Sequence, residues 1–338
     1  MRTIEELMAQ LTEPSPALVE DIKKIQGDIM LLGAAGKMGP SLSILAVKAI
    51  KQAGQTNRVI AVSRFSDKEM KTELEQHGVE TIQADLLDEV DLEQLPKVEN
   101  VLFMAGKKFG TSGNEGITWA MNSYLPGRIS AHFAKSRIVV FSSGNIYPFM
   151  PLQSGGADEH TPPEPKGEYA QSCLGRERVF DYFSRTHDIP MLIFRLNYAV
   201  ETRYGVLLEI AQNVYHNRPI DLTTGVVNVI WQGDANEYAL RSLVHCQVPA
   251  ATLNVTGPEV ISVRWLAETF GRIMDSPPVF ENEEATASLI NNATRAHQLY
   301  GYPSVSLRQA IEWVADWVQT GGETLDKPTH FQERKGKF

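Results

Sequence analysis

The sequence predicts an α/β protein built on a doubly wound parallel sheet, and three features of its 338 residues predict it. From residue 28 onward, runs of Val, Ile, Leu and Phe without strict alternation recur between helical stretches, as strands covered on both faces by helices should. Gly33, Gly36 and Gly39 stand where the first such run meets the next helix. Composition is that of an ordinary globular chain, 43% hydrophobic and 22% charged, with enough apolar residues for one large core or two joined ones.

The chain opens on Thr3 and Glu6, a capping-box pair, ahead of Ile4, Leu7, Met8 and Leu11 on one helical face. Ser15 and Pro16 start a second helix, with Leu18, Ile22 and Ile25 inward and Gly27 as its stop. Residues 1–27 are therefore a helical extension before the first strand. Strands are predicted at 28–33 (DIMLLG), 58–63 (RVIAVS), 80–85 (ETIQAD), 100–106 (NVLFMAG), 137–143 (RIVVFSS) and 190–197 (PMLIFRLN). Strands that alternate with helices in this way become parallel neighbours joined by crossovers, so residues 28–200 are assigned to the sheet-bearing domain. Beyond residue 200 the rhythm loosens. GVLLEIAQNVYHN, VRWLAETFGRIM and LRQAIEWVADWVQ read as helices, and VVNVIW and TLNVTG as short strands. Residues 201–338 are read mainly as a smaller substrate-binding region, with Trp313 and Trp317 as core or interface and DKPTHFQERKGKF as a polar surface tail.

The formal net charge of −9, from 41 acidic and 32 basic residues, opposes binding to nucleic acid or to an anionic membrane surface. Cys173 and Cys246 are too few for a disulfide framework, and neither they nor the eight scattered histidines have metal-ligand spacing, so no metal is expected. No run of 18 apolar residues occurs and the N-terminus is acidic and periodic, so the expectation is a cytoplasmic protein, neither exported nor membrane-inserted.

LLGAAGKMG is a G-x-x-G-x-x-G pattern. Gly33 allows a tight turn, Gly36 lets the backbone approach a pyrophosphate, and Gly39 lets the helix pack closely on the strand. The loop Gly33, Ala35, Gly36, Lys37, Met38 and Gly39 is thus predicted to hold a dinucleotide with its phosphates at a helix N-terminus. After the second strand, where an acidic residue would bind the adenosine ribose, the chain has Ser63 and Arg64. That chemistry suits a 2′-phosphate and favours NADP over NAD, against the competing readings that Asp67 serves the ribose or that Arg64 stacks on adenine. Asp85 and Leu86 suit an adenine contact, and Ala105 and Gly106 would let the backbone come close to the cofactor.

With these glycines, FSSGNIYP and EYAQSCLGRE, the chain resembles the extended short-chain dehydrogenase/reductase family of NAD(P)-dependent sugar epimerases, dehydratases and reductases, over roughly residues 28–320. The resemblance implies a Rossmann-type fold, hydride transfer, a carbohydrate-type substrate (a sugar, sugar acid or nucleotide sugar) and a homodimer. SSGNIYP is similar to the family's S-[ST]-x-x-V-Y-G, which implies Ser143 as the catalytic hydroxyl, with Asn145 beside the substrate. Tyr169 falls at the tyrosine of Y-x-x-x-K, and Asn122 at the helix asparagine that supports the site. Glu159 matches an acidic loop position, and FRLNYAV resembles the R-x-x-N segment that points to Asn197. Arg203, with Tyr204, could bind a carboxylate or phosphate, and the loop FGTSGNEG (109–116) lies where family members contact substrate.

Cys173 departs from the pattern by occupying the lysine position of Y-x-x-x-K. In the family that ammonium holds the nicotinamide ribose and lowers the tyrosine pKa; a thiol can do neither directly. Three readings stand open. Another cation reaches the site, from Lys107, Lys108, Lys166, Arg176 or the oxidised nicotinamide itself; or another acceptor, Glu159, takes the proton; or the protein is a catalytically weak dinucleotide binder acting as redox sensor or scaffold.

Overall fold

The computed structural model describes residues 1–108, 110 and 113–337. Phe109, Thr111 and Ser112, in the loop assigned to substrate by resemblance, and Phe338 lie outside the described residues. Seven strands form one sheet: β1 (Ile29–Leu32), β2 (Val59–Ser63), β3 (Glu80–Gln83), β4 (Asn100–Phe103), β5 (Arg137–Ser143), β6 (Met191–Leu196) and β7 (Ala251–Val255). All pair in parallel, in the order β7-β6-β5-β4-β1-β2-β3. The order reverses between β1 and β4, where Leu32 is in register with both Val62 and Phe103. At such a reversal the crossover helices leave in opposite directions and a crevice opens at the carboxyl ends of the strands.

Alternate residues of each strand feed different cores, because side chains of a strand point to opposite faces. Ile29, Leu31, Leu102, Val139 and Phe194 face α2 (Pro16–Ile22), α3 (Gly39–Gln52) and the helix Gln232–Arg241. Met30, Leu32, Phe103, Ile138 and Val140 face the helices Leu125–His132 and Gly167–His187. The second of these supplies Phe180, edge-on to Phe103 at 5.2 Å between ring centroids. A third core joins the helices Val206–Tyr215, Val263–Met274 and Leu307–Gln319 with Leu7 and Leu11 of α1 (Ile4–Leu11). The N-terminal extension is capped as the sequence predicts: Thr3 and Ser15 hydroxyls accept the amides of Glu6 and Leu18.

Beyond residue 200 the chain returns to the sheet, since β7 is laid against β6 over five residue pairs from Ala251 to Val255. The tail also differs from its surface reading. Phe331 is 2% exposed in the third core and Thr329 is 3% exposed. Arg334 lies 4.2 Å over the Phe149 ring and donates to the Ala287 carbonyl. One phenylalanine in a polar run is enough to anchor the segment, because a buried Phe contributes about 1.5–3 kcal/mol. Among the described residues no helix is long and apolar enough to cross a membrane, and no cluster of three or more His, Cys, Asp or Glu could hold a metal.

Candidate active site

The glycine loop follows β1 directly. Gly33 has φ +90°, and a Cβ there would stand 2.7 Å from the Ala105 backbone at the end of β4, so a side chain fits neither the conformation nor the space. Gly39 presses on the Ala34 carbonyl, which a Cβ would approach to 2.0 Å. Between them Gly36 has only the Gly33 carbonyl, at 3.4 Å, near its empty Cβ position. Helix α3 begins after Met38 with no side-chain cap; Gly39 N–H goes to the Gly36 carbonyl at 3.2 Å and Pro40 has none, so what the helix start offers a ligand is chiefly the positive end of its dipole. This backbone cradle fits a dinucleotide pyrophosphate.

At the end of β2, Ser63 is half-buried and Arg64 exposed. The Asp67 carboxylate is committed as the cap of helix Lys68–Gln76, accepting the amides of Glu69 and Met70 at 2.9 and 3.1 Å. The Asp85 carboxylate accepts the Leu87 amide at 3.0 Å, and Leu86 is buried among the sheet residues. Gly106 leaves room for Arg176, whose Nη2 would meet a Cβ there at 2.4 Å.

A cleft of about 260 Å³ lies over the carboxyl ends of the strands and is lined by Gly33, Gly36, Lys37 and Met38 together with Ser143, Asn145, Tyr169 and Asn197. Tyr169 sits early in the helix Gly167–His187; Cys173 and Arg176 follow at four and seven residues, on the same face. The phenol lies close enough to the Ser143 hydroxyl and the Cys173 thiol for both to act on its proton. Burial, then Cys173, pushes the phenol well above the ordinary tyrosine range, while Arg176 and Ser143 pull it back. Burial likewise raises the Cys173 thiol, which is 1% exposed. Raised in this way the thiol stays protonated and behaves as a small buried hydrophobe.

Asn122 lies on a π-helical turn, Ala120–Tyr124, a distortion that points its amide inward. Its Oδ1 accepts the Lys107 amide at 3.0 Å and Arg176 Nη2 at 2.6 Å, and its Nδ2 donates to the Lys107 carbonyl at 3.0 Å and to Ser172 Oγ at 2.9 Å. The other arm of Arg176 donates to the Phe141 carbonyl at 2.6 Å. Asn122 and Arg176 therefore hold the loop after β4 and the Tyr169 helix in fixed relation.

The other candidates fall partly inside and partly outside the cleft. Asn197 lines the cleft and donates to Asn228 at 3.0 Å. Glu159 accepts the Asn254 amide of β7 at 2.8 Å. Arg203 is ion-paired with the buried Glu201 at 3.1 Å, and it is the neighbouring Tyr204 that enters the cleft. Sequence reasoning did not find Tyr198 or Thr329, which also line the cleft. Thr329 lies 160 positions after Tyr169 in a polar run that carries no signal of burial. Lys37 sits with Nζ 3.1 Å from the centre of the Tyr204 ring, and burial, reinforced by Lys108 and Lys327, pushes it down to about 7. Burial also pushes Lys108 down to about 8.

Residues 29–233, more than half of the chain, match the NAD dependent epimerase/dehydratase family. Among solved structures, UDP-glucuronic acid 4-epimerase from Bacillus cereus, in complex with NAD, is similar at 17% identity and a TM-score of 0.71, covering 86% of this chain and 98% of that one. MoeE5 in complex with UDP-glucose and NAD is similar at 18% identity and a TM-score of 0.69, covering 87% and 99%. A putative epimerase from Burkholderia cenocepacia J2315 is similar at 17% identity and a TM-score of 0.68, covering 86% and 97%. No curated protein matches the sequence. At these identities the structures speak for the fold, and the family match over β1 to the start of helix Gln232–Arg241 speaks for the class: the chain belongs to the NAD dependent epimerase/dehydratase family of enzymes.

Proposed function

We propose that the protein is an NAD(P)-dependent epimerase, dehydratase or dehydrogenase acting on a sugar, sugar acid or nucleotide sugar. One observation carries this reading: the Ser143 hydroxyl and the Tyr169 phenol line the same cleft as the glycine loop, and Ser143 acts on the phenol's proton. When bound, the nicotinamide supplies the hydride acceptor or donor. Ser143 hydrogen-bonds the reacting substrate oxygen, and Tyr169 Oη takes or returns its proton. In this reading Asn122 supports the loop after β4, and Asn145 and Asn197, which line the cleft, contact substrate. In this reading residues 28–200 hold most of the cofactor and residues 201–338 mainly shape the substrate pocket, with Glu159 and Arg203 as outer contributors.

NADP is the proposed cofactor in preference to NAD. Support comes from exposed Arg64 beside Ser63 and from Asp67, whose carboxylate is engaged in capping its helix; the similar epimerase and MoeE5 structures hold NAD. A homodimer in the cytoplasm completes the proposal. Tyr124 and Tyr182, 61% and 59% exposed, project from the two helices whose inner faces pack on the sheet, and a second copy would cover them. Sedimentation at micromolar concentration should give a dimer; a monomer removes this part of the reading.

The rival reading, a dinucleotide sensor without turnover, draws on the raised Tyr169 phenol and on Cys173. Tyr169→Phe separates the two. The expected outcome is a loss of kcat of about 10² to 10⁴, the usual contribution of a positioned acid–base group, with dinucleotide affinity by calorimetry unchanged. Unchanged turnover in Tyr169→Phe would contradict the assignment.

A further inference from the structure

Tyr169 is buried beside a thiol that brings it no charge, so a cation must come from elsewhere if the phenol and an anionic cofactor are to be served together. Arg176 is not placed to meet a ligand: it is 5% exposed, and its guanidinium is engaged with Phe141 and Asn122. Lys37 lies against Tyr204. Lys108 has a different setting. It lines the cleft with Ser143 and Tyr169, and its Nζ stands 5.9 Å from the centre of the Tyr169 ring. Two supports aim it there. From below, Asn122 clamps both the amide and the carbonyl of Lys107. From above, the C-terminal segment crosses the cleft, and the Thr329 carbonyl accepts the Lys108 ammonium at 3.3 Å. Thr329 is in turn fixed by Glu209, whose carboxylate accepts its amide and, at 2.8 Å, its hydroxyl.

We infer that Lys108 is the cation of this active site, delivered by the loop after β4 and the C-terminal segment to the place that the Tyr169 helix leaves without one at Cys173. The inference rests on the cleft being the dinucleotide site, not on turnover. Around Lys108 the charged or titratable groups are Lys37 and Tyr204 in the cleft, Glu209 behind Thr329, Cys173 and Tyr169 on the helix, and Arg176 beyond them. Lys37 and Glu209 act on its charge with opposite sign. A pKa near 8 means that Lys108 is charged at neutral pH and loses its charge in mild base.

Calorimetry of NADP⁺ and NAD⁺ binding to the full chain tests this, with wild type, Lys108→Met, Lys108→Arg and Lys108→Met/Cys173→Lys compared between pH 6.5 and 9.5. Lys108→Met should bind about tenfold or more weakly at pH 7, the loss of one charge-assisted hydrogen bond. Wild type should lose affinity above about pH 8, whereas Lys108→Arg, which cannot deprotonate there, should keep it. The double variant should recover the affinity, because a lysine at 173 reaches the same spot from the helix. Wild-type affinity in Lys108→Met overturns the inference, and so does a loss that neither Lys108→Arg nor Cys173→Lys reverses. Failure here leaves Tyr169→Phe to decide the enzyme reading by turnover.

Discussion

Lys37 shows how burial sets chemistry at single residues. Its ammonium lies over an aromatic face but has two other lysines, Lys108 and Lys327, in its field, and burial adds to their effect. The folded-state pKa, about 7, is far below the ordinary lysine value of 10.5, so the native state binds fewer protons than the unfolded chain between those values. Lys37 therefore costs stability below pH 7, and its contribution to the unfolding free energy rises with pH through that window. An anionic ligand reverses the preference, because it favours the charged form. NADP⁺ binding near pH 8 should then take up protons at Lys37 and Lys108, seen as a dependence of calorimetric enthalpy on buffer ionisation enthalpy, and Lys37→Met should reduce that uptake to the part carried by Lys108. Equal enthalpies in both buffers would place Lys37 outside the phosphate field.

Ser143, Asn145, Tyr169 and Asn197 were legible through the resemblance of their short segments to those of the extended short-chain dehydrogenase/reductase family, and the fold brings these residues to one cleft. At the scale of elements, β1 and its glycine loop were equally legible, since a hydrophobic run followed by spaced glycines permits few backbones. Gly39→Ala should test the α3 contact. Its new Cβ falls 2.0 Å from the Ala34 carbonyl, backbone that cannot rotate away, so α3 must shift. A loss of about 1–3 kcal/mol, the usual cost of overpacking, should appear in denaturant unfolding together with weaker dinucleotide binding. Unchanged stability and affinity would mean that the loop has slack. The C-terminal segment was not legible, because its position depends on Phe331 entering a core assembled in part from helices Val206–Tyr215 and Val263–Met274, more than 50 residues away, and on Glu209 reaching Thr329. Long-range packing of this kind leaves no periodic mark in a polar run.

For the whole molecule, two cores flank one parallel sheet and another lies among the later helices, and the cleft lies where the carboxyl ends of β1, β4, β5 and β6 meet segments from the C-terminal third. The seventh strand and the tail both come from beyond residue 200, so sheet and cleft are closed by the same late stretch of chain. The central claim is that this assembly transfers hydride despite Cys173. Its most direct test is to incubate wild type and Cys173→Lys with NADP⁺ or NAD⁺ and a panel of sugars, sugar acids and nucleotide sugars, following products by proton NMR. The expected result is that wild type converts at least one substrate. Tight dinucleotide binding by wild type with no conversion, alongside activity gained by Cys173→Lys, would contradict the claim and make the protein a dinucleotide binder.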